Sequence, residues 1–211
     1  MEPAFWINRW KEGRIGFHEG RPNVYLERYV DRLGPNRNVL VPLCGKAEDL
    51  AYLAGRGHVV VGVELVEDAV RAFFAEHGAA PTVTPRGAFK AYQAEQITLL
   101  AGDLFDARAD LLGPVDALYD RGALVALPAD VRARYVDRLR ELLPKGALGI
   151  VVTVEYAQDR VDGPPFSVSD SELRALYPDL DIELMDEGPA DLPRLQAAGV
   201  TGIEKCFRIQ F

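Results

Sequence analysis

The stretch NVLVPLCGKAEDLAYLAGRGHVVVGVEL, residues 38–65, sets the fold. It opens on a short, mostly apolar run, NVLVPL, as a strand covered on both faces requires. A turn with a single glycine, Gly45, follows. AEDLAYLAGRG, residues 47–57, then places Leu50, Leu53 and Ala54 on one helical face, with Gly55 and Gly57 able to stop the helix. HVVVGVEL, residues 58–65, is a second apolar strand that closes on an acid, Glu64. Strand, turn, helix, strand is the unit from which α/β sheets are built.

The same alternation continues outward. EDAVRAFFAEHG, residues 67–78, reads as a helix with Val70, Phe73 and Phe74 inward. Residues 79–96 read as a connection punctuated by Pro81, Pro85 and Gly87. ITLLAGD (97–103), VDALYD (115–120) and LGIVVTVEY (148–156) are further strands. Between the last two, PADVRARYVDRLRELLPKG (128–146) is a helix with Val131, Tyr135, Leu139 and Leu142 on one face. A proline turn in GPPFSVSDSELRALY (163–177) leads to a helix that Ser169 caps, with Glu172 placed for a capping box. DIELM (181–185) and GIEKCFRIQF (202–211) are two last strands, and a helix rarely fits the short gap between them, so an antiparallel pairing at the sheet edge is expected. No repeat or linker divides residues 1–211, which read as one domain.

The charge of −8 argues against nucleic acid as the principal partner. No apolar run approaches the ~20 residues of a membrane span, and the first residues are too polar and aromatic for a signal peptide. Cys44 and Cys206 form no metal or disulfide pattern, which points to a reduced, cytoplasmic protein without a bound metal; a monomer is the default expectation.

In an open α/β sheet, ligands sit beyond the carboxyl ends of the strands. The turn Pro42-Leu43-Cys44-Gly45-Lys46 lacks the several glycines that a pyrophosphate needs. It suits a ligand without phosphates there, with Gly45 allowing close approach and Leu43 offering a carbonyl and an apolar wall, or it is a plain strand-to-helix turn. Glu64 stands where an acid accepts ribose hydroxyls, or faces solvent. Asp103 serves as an acceptor for an adenine amino group or as a local cap. Asp120 and Arg121 form a loop ion pair, or Arg121 clamps a carboxylate. Trp6 and Trp10, at helical spacing with Phe17 beyond, are core residues or an aromatic lid whose ring faces attract a sulfonium. Cys44 reads as a buried small hydrophobe, and no hydrolase or kinase motif is complete.

FWINRW…GRIGFH, VPLCGK, GHVVVGVEL, YDRGALVALP and GPPFSVS together resemble the thiopurine S-methyltransferase family in order and spacing, as far as about Ser169, with a fainter echo in GIEKCFRIQF. The resemblance implies a Rossmann-like, seven-stranded, mostly parallel sheet with an antiparallel last strand and helices on both faces. It implies S-adenosylmethionine as cofactor, bound by Trp10, Leu43, Glu64 and Arg121, with Asp103 and Leu104 lining the adenine. Residues 1–36 become a lid segment packed on the cofactor site. Phe17 and Arg194 line the pocket of a small-molecule acceptor and Phe166 lies on the loop that closes it; Arg194 or Arg121 stabilises a thiolate. The implied acceptor is a thiopurine or other aromatic thiol, or a chalcogen oxyanion; halides, and a non-catalytic adenosine-binding module, stay open as alternatives. MDEGPADLPRLQAAG (185–199) is more acidic than the family pattern, which bears on the acceptor rather than the cofactor.

Overall fold

The computed structural model describes residues 3–16 and 18–211. Two helices, α1 (Pro3–Lys11) and α2 (Val24–Tyr29), precede the first strand, β1 (Asn38–Pro42). Then come α3 (Glu48–Gly55), β2 (Val59–Glu64) and α4 (Glu67–Glu76). A hairpin of β3 (Thr82–Arg86) and β4 (Phe89–Ala94) leads into β5 (Ile97–Ala101). The rest is α5 (Ala109–Leu112), β6 (Ala117–Arg121), α6 (Ala129–Leu142), β7 (Leu148–Tyr156), α7 (Asp170–Leu176), β8 (Asp181–Pro189), α8 (Pro193–Ala197) and β9 (Gly202–Gln210).

All nine strands form one sheet in the order β3-β4-β5-β2-β1-β6-β7-β9-β8. The five strands β5, β2, β1, β6 and β7 run parallel, as the apolar runs suggested. The last strand, β9, enters antiparallel between β7 and β8. The mostly parallel α/β sheet expected from the sequence is present, with two strands more than the seven implied. The addition is the β3–β4 hairpin at residues 82–94, which reads as a loop because Pro85 interrupts it. Pro85 is tolerated since β3 is the edge strand, where a missing N–H breaks no ladder. Gly87, at φ +61, opens the two-residue turn.

Strand alternation separates two cores. Val39 and Val41 of β1 pack with Leu50 and Leu53 of α3 and with Val70, Phe73 and Phe74 of α4. Leu40, between them, packs on the other face with Tyr135 and Leu139 of α6 and Leu173 of α7. Each large side chain here is worth several kcal/mol; truncating Phe73 to alanine costs about 3–5 kcal/mol.

Two local expectations change. A five-residue helix, α8, does fit between β8 and β9, started by Pro193 at its first turn, where the lost N–H costs nothing. The capping box at α7 is half-made: the Ser169 hydroxyl accepts from Glu172 N–H at 3.1 Å, while the Glu172 carboxylate turns away to pair with the buried Arg132. No helix among the described residues is long and apolar enough to cross a membrane.

Candidate active site at the carboxyl ends of the strands

Because β5, β2, β1 and β6 are parallel neighbours, their carboxyl ends line one rim. The turn after β1, the acid ending β2, the loop after β5 and the arginine ending β6 are thereby set side by side. Neighbouring strands lie ~4.8 Å apart, so the group spans the width of a nucleoside.

The turn after β1 is held in an unusual backbone form. Leu43 has φ 48 and Gly45 φ 55. A left-handed leucine is costly and is kept only where surrounding structure fixes it. The fixing group is Glu64. Its carboxylate accepts Gly45 N–H at 2.8 Å and Val66 N–H at 2.7 Å, tying the turn to the loop after β2. Burial raises the Glu64 pKa, and the backbone N–H bonds pull the other way. Each carboxylate oxygen carries two lone pairs, so one backbone bond apiece leaves room for hydroxyl donors. Cys44, between the strained residues, is buried; desolvation, then the nearby Glu64 charge, push its thiol well above the ordinary range, as an inert small hydrophobe requires. Its neighbour Gly62 is obligatory, because a Cβ there would stand 2.7 Å from Cys44 Sγ and 2.5 Å from Leu99 Cδ2.

After β5, Asp103 caps a 3₁₀ turn by accepting Phe105 N–H at 2.9 Å, so its local reading as a cap is realised. Leu104 beside it is 4% exposed and joins the core.

At the end of β6 the two adjacent charges separate. Consecutive strand residues face opposite sides, so Asp120 and Arg121 make no loop ion pair with each other. Asp120 is fully buried, accepting the Tyr135 hydroxyl at 2.7 Å and Leu124 N–H at 3.1 Å. Desolvation lifts its pKa to about 6 against the lowering effect of those bonds. Arg121 points to the other side and pairs with Glu19 from the segment before α2. A carboxylate partner for Arg121 is thus present, within the chain itself.

Trp10 is half-buried on α1. Phe17 lies outside the described residues. Arg194, on α8, donates to the carbonyls of Asp162 and Pro164, so it is fastened to the loop that carries Phe166. Phe166 N–H donates to Val125 O at 2.6 Å, joining that loop to the one after β6. The Phe166 ring covers Gly163, where a Cβ would lie 2.2 Å from it. The ring also borders an open groove of ≈ 340 Å³ with Pro128, Arg132, Gln158 and Glu172, on the α6–α7 side of the sheet. Phe166 and Arg194 are therefore brought together.

The family model for thiopurine S-methyltransferase matches residues 1–208. The chain belongs to that family. Members similar to it include a thiopurine S-methyltransferase of Pseudomonas putida, 44% identical over 99% of both chains. Another, from Pseudomonas paraeruginosa, is 48% identical over 84% of this chain and 82% of its own. Among solved structures, the 1,6-didemethyltoxoflavin N1-methyltransferase of Burkholderia thailandensis, with S-adenosylhomocysteine and 1,6-didemethyltoxoflavin bound, matches with a TM-score of 0.65. That match covers 99% of this chain and 87% of the other at 20% identity, a likeness of fold. Membership in the thiopurine S-methyltransferase family makes the protein an S-adenosylmethionine-dependent methyltransferase.

Asp49, Asn23, Glu19 and Tyr119 escaped the sequence reading. An acid in the first turn of a helix is ordinarily explained by the helix dipole, so nothing in AEDL marks Asp49 as a residue that points inward.

Proposed function

We propose that this methyltransferase acts on the sulfur of a small aromatic thiol, a thiopurine among them, or on a chalcogen oxyanion. The observation that carries the cofactor half is the Leu43–Gly45 turn strapped to Glu64, on a rim with no phosphate cradle. Its donor set fits S-adenosylmethionine: an acid with spare lone pairs for ribose hydroxyls, apolar Leu43 and Leu104, and a glycine permitting close approach. Bound there, S-adenosylmethionine supplies a methyl group already activated by its sulfonium.

The chain's own residues then bind, orient and exclude water. Glu64 holds the ribose; Leu43, Gly45, Asp103 and Leu104 flank the adenosine; Trp10 and Arg121 cover it, with residues 1–36 as the lid. On the acceptor side Phe17 and Phe166 supply apolar contact. Arg194 is the better thiolate stabiliser of the two arginines. Glu19 cancels much of the Arg121 charge, whereas the Asp162 and Pro164 carbonyls occupy Arg194 donors without neutralising the guanidinium. A cation beside a thiol lowers its pKa and favours the nucleophilic anion. Transfer to such a soft nucleophile depends chiefly on alignment. Two buried free thiols suit a reducing, cytoplasmic setting, and the net charge of −8 suits a monomer with no nucleic-acid partner.

The test is methyl transfer from labelled S-adenosylmethionine to 6-mercaptopurine, thiophenol, selenite, tellurite, iodide and a catechol, with products identified by mass spectrometry. Methylated aromatic thiol, selenium or tellurium products are expected. Turnover confined to the catechol or iodide would overturn the acceptor assignment. Binding of S-adenosylhomocysteine without any turnover would favour a non-catalytic module.

A further inference from the structure

Asp49 lies in the first turn of α3 but is 3% exposed and aimed into the protein. Oδ1 accepts the backbone N–H of Asn23 at 2.7 Å, and Oδ2 accepts the Tyr119 hydroxyl at 3.1 Å. Asn23 in turn caps α2, its side chain accepting Tyr25 N–H at 3.0 Å, and reaches toward Glu19 Oε1 at 3.5 Å. Glu19 pairs with Arg121. Tyr119 and Arg121 are two residues apart in β6 and share one face. A circuit is closed: α3 supplies Asp49, the segment before α2 supplies Glu19 and Asn23, and β6 supplies Tyr119 and Arg121. Desolvation raises the Asp49 pKa, while the Asn23 bond and the Arg121 charge oppose it. A buried carboxylate is a costly fastening where an apolar contact would serve stability as well.

We propose that Asp49 is a positioning residue that docks residues 1–36 onto the rim and, through Asn23 and Tyr119, sets where Arg121 stands. The proposal rests on the reading of that segment as a lid over S-adenosylmethionine. Asp49 itself touches neither cofactor nor acceptor.

The chain's two tryptophans, Trp6 and Trp10, both lie in the segment, so their emission reports on it alone. Lys11 and Arg14 there are exposed trypsin sites. In the ligand-free protein, Asp49→Ala should shift tryptophan emission to the red and speed cleavage at those sites at least ~10-fold, as expected of local release. Asp49→Asn can still accept from Asn23 and donate to Tyr119, and should fall between Asp49→Ala and the parent. Tyr119→Phe removes one hydroxyl from a buried strand; it should shift both readouts in the same direction, and it carries the test if Asp49→Ala does not fold. Methyl transfer should lose more in kcat/KM than S-adenosylhomocysteine loses in affinity. Variants with parental emission and cleavage, whatever their Tm, would reduce Asp49 to a stabilising contact and overturn the proposal. A parent that fails to bind S-adenosylhomocysteine would sink the cofactor reading instead, and the ligand-free readouts would still decide the role of Asp49.

Discussion

The rim assigned to the cofactor and the rim assigned to the acceptor are built in opposite ways. The first is strand-ended and closed: a strained turn, one buried carboxylate, and backbone N–H groups already satisfied at 2.7 and 2.8 Å. The second is made of loops, with a short helix, α8, and an arginine hung on carbonyls thirty or so residues away. Strand ends are fixed by the sheet's register and leave little freedom to the residues they carry. Loops are fixed only by one another, so their chemistry can vary while the sheet does not.

The largest effect is expected where the halves meet, at Asp120. Its pKa stands near 6 in the fold against 3.8 ordinarily. The folded chain therefore binds the proton more tightly than the unfolded chain between those values. The group's stabilising contribution is complete below pH 4 and is lost as pH rises through 6, about 3 kcal/mol in all. Asp120→Asn should flatten that descent when the Tm of variant and parent are compared from pH 4 to 7.5. An unchanged slope would mean that the carboxylate is not so buried in solution.

Next comes Glu64→Ala, which should weaken S-adenosylhomocysteine by about 1.5–3 kcal/mol in calorimetry, the scale of hydrogen bonds to a charged group. Unaltered affinity would break the assignment of the first rim. Arg194→Ala should leave that affinity alone and move the ascending, acid-side limb of thiol methylation up by ~1 pH unit, or about 1.4 kcal/mol of thiolate stabilisation. Arg194→Lys should restore much of it. If Arg194→Ala instead weakens the cofactor, the two rims are not separate. The smallest effect is Ser169→Ala, the cap of α7, at about 1 kcal/mol and a Tm lower by about 2–4 °C, with both binding properties intact.

What could be read in the sequence follows the same division. The parallel strands announce themselves as apolar runs, and the Gly45 turn and Glu64 follow from where those runs end. The β3–β4 hairpin hid because Pro85 belongs to an edge strand, and α8 because five residues carry too little periodicity to detect. Glu172 stood at the capping-box spacing, yet the charge of a buried Arg132 on another helix outcompeted a backbone N–H. Asp120 and Arg121 are neighbours in sequence, but strand geometry sends them to opposite faces. The Asp49 circuit joins residues up to 102 positions apart, and no local pattern encodes it.

The cysteines carry a practical consequence. Cys44 and Cys206 are both buried, and burial pushes the Cys206 thiol up to about 12. Maleimide and other thiol-directed probes react with exposed thiolates, so the wild-type chain should present almost no background to them. A single cysteine placed on the surface, at Glu12 or Arg160 for example, becomes a unique attachment point for a fluorophore or spin label. The native sulfurs can stay in place, and the tight packing of Cys44 against Gly62 need not be disturbed to obtain it.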